Sequence, residues 1–317
     1  GYTGFYIAED VESDSELSRY FYPGDKIQYS LDSLCVDLYD IFQDSIFPSR
    51  DEFYKNYGDQ PQWISRAGLD SDFDMDKDQL VECFSTPIHE RMLALGVEDK
   101  ELLNIYQEIE GKKYRYAYVA DCQSLVNTLQ ALIIGCHSSL IGFYKQLCSL
   151  RNDPDMDGNY YQCGPGAHMV HSFLHQFIIQ AYSIFDILTK IAYELEHIKV
   201  CESAYEKLAS RQILYGSKKK LKLDTQGTVF ESCRTTSIIE NLRNELVHNA
   251  TWKMNPKVFF ATDAGKVTER CIYLPDFTAE GTLVTFNNRK RFFADGKKVN
   301  EELPALYFDL MQRVSTT

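Results

Sequence analysis

Two long stretches without proline, separated by one short breaker, dictate most of what this chain can become. The first, YAYVADCQSLVNTLQALIIGCHSSLIGFYKQLCSLRND (116–153), repeats apolar residues at helical spacing, and the second runs from Ala167 to about Val200. Between them lies DPDMDGNYYQCGPG, dense in Pro, Gly and Asp. Apolar residues at i, i+3 and i+4 line one side of a helix, whereas an interior proline removes a backbone donor and clashes with the preceding turn. The pattern therefore predicts two long helices closed by a loop into an antiparallel hairpin. After a short helical stretch, CESAYEKLASRQILYG, and a basic loop, TTSIIENLRNELVHNA supplies a third helix. Thr235, Thr236 or Ser237 would be its N-cap, and Ile238, Ile239, Leu242, Leu246 and Val247 its apolar face. Residues 115–255 thus read as a helical bundle, not as an alternating α/β domain.

The flanks differ in character. Residues 1–114 open on irregular acidic sequence, after which IQYSLDSLCVDLYDIFQDSI sets Ile27, Leu31, Leu34, Leu38, Ile41 and Phe42 on one helical face. A stretch rich in Pro, Gly and Asp follows (47–76), and then two further helical pieces, KDQLVECFSTPIHERMLALG and EDKELLNIYQEIEGKK. In residues 256–317, KVFFATD, ERCIYLPD, GTLVTFNN and KRFFADG are short, aromatic and β-branched, as strands of a small antiparallel sheet or of hairpins. NEELPALYFDLMQRV closes the chain as a helix capped by Asn300. The expected class is mainly α: a helical bundle (115–255) with an N-terminal helical region (1–114) and a small C-terminal antiparallel β element plus closing helix (256–317).

A content of 44% hydrophobic and 13% aromatic residues is ample for a buried core. The formal charge of −13 excludes a general RNA coat, because phosphate affinity comes from Lys and Arg. One compact basic cluster, SKKKLK, nevertheless places Lys218, Lys219, Lys220 and Lys222 together, as a lip that guides RNA or as a solvated loop. The nearest candidate for a membrane span, FLHQFIIQAYSIFDILTKIAYEL, is interrupted by His175, Gln176, Gln180, Asp186 and Lys190, so a soluble, cytoplasmic protein is expected. The chain opens on Gly1, as after a removed leader or a tag, and shows no signal sequence. Nine cysteines with no C-x-x-C pair, several at apolar helix positions, read as buried thiols.

Phosphate-loop, dinucleotide-fold and hydrolase-elbow motifs are absent. Two constellations remain. In CGPGAHMVHSFLH, His168, His171 and His175 share a helical face near Cys163, a weak metal-site candidate. The stripe continues into Ile178, Tyr182 and Phe185, which favours packing over metal binding. In RNELVH, Asn244 and His248 lie four apart, about 40° from alignment, and Arg243 lies about 140° from His248, within reach of a long arginine stem. A guanidinium offers a planar fork for phosphate oxygens, and an imidazole exchanges protons near neutrality. Those are the two needs of RNA cleavage: a base for the ribose 2′-OH, and positive charge where phosphorus gathers negative charge. The bland alternative is a histidine that favours the dipole at a helix C-terminus.

The R-N-x-x-x-H signature of Arg243, Asn244 and His248, near the end of a helix preceded by a long hairpin, resembles the HEPN superfamily (higher eukaryotes and prokaryotes nucleotide-binding) over roughly 115–255. The segment SIFDILTKIAYEL, with Asp186, looks like the family's counterpart helix. Where a toxin subset carries tyrosine two residues after the histidine, this chain has Ala250. The resemblance implies an all-α bundle that homodimerises, pairs two motifs across one cleft and cleaves RNA without a metal or other cofactor. It also implies toxin, antiphage defence or RNA-processing roles, with an antitoxin or defence-system partner. In that setting His248 is the general acid or base, Arg243 the phosphate ligand, Asn244 an orienting group and Asp186 a contact for Arg243. The competing expectation is a non-catalytic module of the same shape that binds nucleotide, RNA or a partner protein.

Overall fold

A computed structural model describes residues 25–46, 115–153, 155–201, 213, 221–249 and 256–317. They form α1 (Asp25–Ile46), α2 (Arg115–Ser149), β1 (Gly158–Gln162), α3 (Pro165–Cys201), α4 (Arg234–His248), β2 (Val258–Asp263), β3 (Lys266–Cys271) and α5 (Val299–Thr316). The fold is mainly α with one small antiparallel sheet, ordered β1-β2-β3. The helical pieces expected at 77–96 and 98–113 lie outside the described residues, as does most of the one at 201–216.

The chain divides into two compact units, and the boundaries do not follow the three sequence segments. One unit joins 1–31 and 131–185 to 224–317; the other joins 32–130 to 186–223. The reason for the first grouping is a strand that the breaker conceals. GNYYQ pairs with β2 from Gly158 opposite Thr262 to Gln162 opposite Val258, so the hairpin loop and the C-terminal segment share one sheet. Tyr160 stacks on Phe260 across that pairing, at 5.2 Å between centroids. Of the four expected C-terminal strands, two contribute to β2 and β3, whereas GTLVTFNN makes only isolated bridges and KRFFADG none.

In this first unit α2 and α3 run antiparallel, with the Cys136 thiol at the Phe177 carbonyl, Ser139 donating to Gln180 and Gly142 against the Phe173 ring. Leu140, Phe143, Leu174, Phe177, Leu242 and Leu310 belong to its core. Helix α5 carries Pro304, which cannot donate to the carbonyl of Asn300 four residues earlier. The buried Tyr144 hydroxyl donates to that oxygen instead, at 2.7 Å. The N-cap of α5 is Lys298, not Asn300, which lies inside the helix and is buried. In the second unit, Tyr39 of α1 donates to Asn127, and the Tyr118 hydroxyl donates to Glu194 at 2.7 Å.

Helix α4 is capped two residues before the first of the predicted caps, Thr235. Its N-cap is Cys233, whose backbone N–H donates to Thr236 Oγ1 at 3.2 Å. Thr236 thus caps from inside the first turn. The buried face is Ile238, Ile239, Leu242 and Glu245; Leu246 is only half-buried and Val247 is 48% exposed. A carboxylate, not an aliphatic chain, occupies the last inward position.

Residues Asp121–Ser149 of α2, and not the expected FLHQFIIQAYSIFDILTKIAYEL, are long and apolar enough to cross a membrane by length and composition alone. Several of its apolar side chains, including Cys136, Leu140 and Phe143, are buried in the protein's own core. Among the described cysteines, Cys35, Cys122, Cys136 and Cys271 are buried, Cys148 and Cys233 half-buried, and Cys163 exposed. The expectation of uniformly buried thiols therefore fails at Cys163, which sits in the turn before α3.

Candidate active site

The last turns of α4 bring three of the predicted residues together. Arg243 Nη1 donates to Asn244 Oδ1 at 3.1 Å and to His248 Nε2 at 2.9 Å. The arginine stem closes the angular gap that helical geometry leaves between positions 243 and 248. A guanidinium only donates, so Nε2 of His248 accepts and the ring proton sits on Nδ1. This is the neutral tautomer with a lone pair at Nε2, the state a general base requires. His248 is exposed, and Arg243 and Asn244 are half-buried.

A fourth residue fixes the guanidinium. Its carbon lies 4.7 Å from the centroid of the Tyr182 ring on α3. Such a cation–π contact contributes about 0.5–2 kcal/mol and orients the fork as it does so. Asp186 lies one helical turn further along α3 and is half-buried. Tyr182, expected from the sequence to belong to a packing stripe, meets Arg243 from α3.

Beneath the pair, Glu245 is almost fully buried and gathers a second set of contacts. Its carboxylate accepts from Asn249 Nδ2 at 3.0 Å, Lys290 Nζ at 3.2 Å and Arg291 Nη2 at 3.4 Å. Burial pulls the Glu245 carboxyl upward, and the hydrogen bonds from Lys290, Asn249 and Arg291 outweigh it, leaving it below the usual carboxylate range. Arg291 Nη2 also donates to the Asn249 carbonyl at 2.6 Å, where the end of α4 offers an oxygen without a helical partner. Cations that the sequence reading placed in a strand therefore cap the histidine-bearing helix. The signal for them was the run RKR (289–291) directly after the turn-forming pair Asn287–Asn288.

Lys222 is exposed and lies in the other unit, where its backbone N–H donates to the Glu196 carboxylate at 2.8 Å; Lys218, Lys219 and Lys220 lie outside the described residues. His168 is exposed, whereas His171 is buried and hydrogen-bonds through Nε2 to the Lys257 carbonyl at 3.1 Å. That carbonyl can only accept, so this nitrogen carries the proton and has no lone pair for a metal. His175 sits edge-on to His171, and burial lowers its pKa. Among the described residues no three His, Cys, Asp or Glu side chains are grouped to hold an ion.

No protein-family model, curated protein or solved structure matches the chain. The chemistry of the site therefore rests on these side chains alone.

Proposed function

We propose that the chain is an endoribonuclease of HEPN type with a HEPN-like bundle, acting as a cytoplasmic homodimer in a bacterial defence or toxin system. The observation that carries this reading is the Arg243–Asn244–His248 cluster, joined by hydrogen bonds of 3.1 and 2.9 Å at an exposed helix end. In the resting site the lone pair of His248 Nε2 is occupied by Arg243. When an RNA phosphate arrives, its charged oxygens compete for the guanidinium, and transfer of the fork to phosphate frees Nε2. Nε2 then takes the proton of the adjacent ribose 2′-OH. The 2′-oxygen attacks phosphorus, the bond to the 5′-oxygen breaks, and a 2′,3′-cyclic phosphate forms while the leaving oxygen takes up a proton. Arg243 stabilises the charge that builds on the phosphoryl oxygens, and Tyr182 holds its plane in place.

The test is incubation of the full chain with single-stranded RNA in the presence of a chelator. Products with cyclic-phosphate and 5′-hydroxyl ends are expected, and His248→Ala should abolish them while leaving the oligomeric state unchanged. Intact RNA with the wild-type chain would instead favour a non-catalytic module that binds RNA, nucleotide or a partner protein, a reading to which the net charge of −13 gives some weight.

A further inference from the structure

Residues 276–296 leave the sheet as an arm laid along α4. Its base is fixed by the buried Asp276, whose carboxylate accepts from the backbone N–H groups of Ala294 at 2.7 Å and Asp295 at 3.0 Å. Its middle touches the first turn of α4 at Gly281, where φ is +85° and a Cβ would lie 2.5 Å from the Arg234 carbonyl oxygen. Only glycine satisfies both demands. At the tip, Phe286 and Arg289 exchange backbone hydrogen bonds of 2.9 Å around Asn287 and Asn288. Their φ values of 47° and 61° match the two-residue turn that suits the twist of a hairpin.

This tip carries an unusual combination of side chains. Phe286 is 66% exposed, the second most exposed large apolar side chain among the described residues. Beside it stand three cations, Arg289, Lys290 and Arg291, the last two paired with the buried carboxylate of Glu245, on a chain whose net charge is −13. Arg291 is held at φ +75°, a left-handed conformation that is uncommon for a non-glycine residue. Its bonds to Glu245 and to the Asn249 carbonyl hold it there, fastening the tip to the residue that follows His248.

We propose that this tip grips single-stranded RNA beside the Arg243–His248 pair: an unpaired base stacks on Phe286, and flanking phosphates meet Arg289 and Lys290. A base in a duplex keeps its faces stacked on its neighbours and cannot be offered to an exposed ring, so the tip selects unpaired strands. The inference rests on the ribonuclease reading for the fate of the strand, but not for its binding.

Binding is measured with the full chain carrying His248→Ala, by fluorescence anisotropy, using a short labelled oligouridylate and an RNA duplex of the same length. The single strand should bind more tightly than the duplex. Phe286→Ala should weaken it roughly tenfold or more without changing its salt dependence. Arg289→Ala should also weaken it and lower the slope of log affinity against log salt by about 0.7. Both side chains are exposed, so thermal melting should match the parent. Binding by either variant equal to the parent's, equal affinity for duplex, or no binding by the parent would overturn the proposal. A wild-type chain that leaves RNA intact, while the tip variants still lose binding, would defeat the ribonuclease reading and leave this one standing.

Discussion

The start of α3 carries three histidines at helical spacings and the end of α4 one histidine five residues after an arginine, and the two regions fold into opposite situations. On α3 the three imidazoles share a face by sequence, but burial splits them: His168 faces water, His171 donates to a backbone carbonyl and His175 is drawn into the interior. On α4 the spacing of five looks poor on a helical wheel, yet a flexible arginine stem bridges it to 2.9 Å. Proximity on a wheel is therefore a weaker guide to a working site than side-chain reach, and than a neighbour such as Tyr182 that fixes the reaching group.

The largest effect should separate the two regions outright. His248→Ala and Arg243→Ala should each lower RNA cleavage by about 100- to 10,000-fold, the range of a lost general base or phosphate ligand, whereas His168→Ala should leave it unchanged. Cleavage that follows His168 and ignores His248 would reverse the assignment.

Next in size is the buried carboxylate. Glu245→Ala strips a partner from Lys290, Arg291 and Asn249, and should lower unfolding free energy by about 1–3 kcal/mol in chemical denaturation, because water can reach the two partly exposed cations but replaces the buried bonds imperfectly. The pH dependence has a definite sign. The Glu245 carboxyl sits below its usual value, so its contribution is complete above about pH 4.3 and is lost as pH falls through the lower folded value. A denaturation curve for Glu245→Gln that falls just as steeply in acid would contradict this.

Smaller again is the ring under the guanidinium. Tyr182→Ala should slow cleavage by about two- to thirtyfold, while Tyr182→Phe keeps most of the rate, since the contact is with the ring face. Equal losses in both variants would point to the hydroxyl instead.

The smallest effect belongs to α3. Burial holds the His175 pKa below about 6.5, so the unfolded chain binds the extra proton and stability declines as pH drops below that value. His175→Gln should flatten the decline with no change in cleavage. An unaltered profile would show that His175 is not the titrating group.

The helices were legible because their signal is local. The absence of proline and the apolar period marked α2 and α3 within a residue or two, except at the end of α2, which stops at Ser149 and not at Asp153. β1 was hidden in a breaker rich in Gly, Pro and Asp, and its register depends on a partner strand nearly a hundred residues away. Arg243, Asn244 and His248 were readable because one helix carries all three. Tyr182, Glu245 and the Phe286–Arg291 tip were not, because each acquires its role only when another element arrives. Glu245 also broke the apolar pattern of α4 at a position where Leu246 and Val247 looked the better core residues.

A double-mutant cycle on cleavage under single-turnover conditions bears on whether Arg243 and His248 form one device. If they do, Arg243→Ala with His248→Ala together should cost little more than either alone, as for groups that act as a unit. Losses that multiply would mean two independent contributions, and undiminished cleavage in the double variant would remove the pair from the reaction altogether.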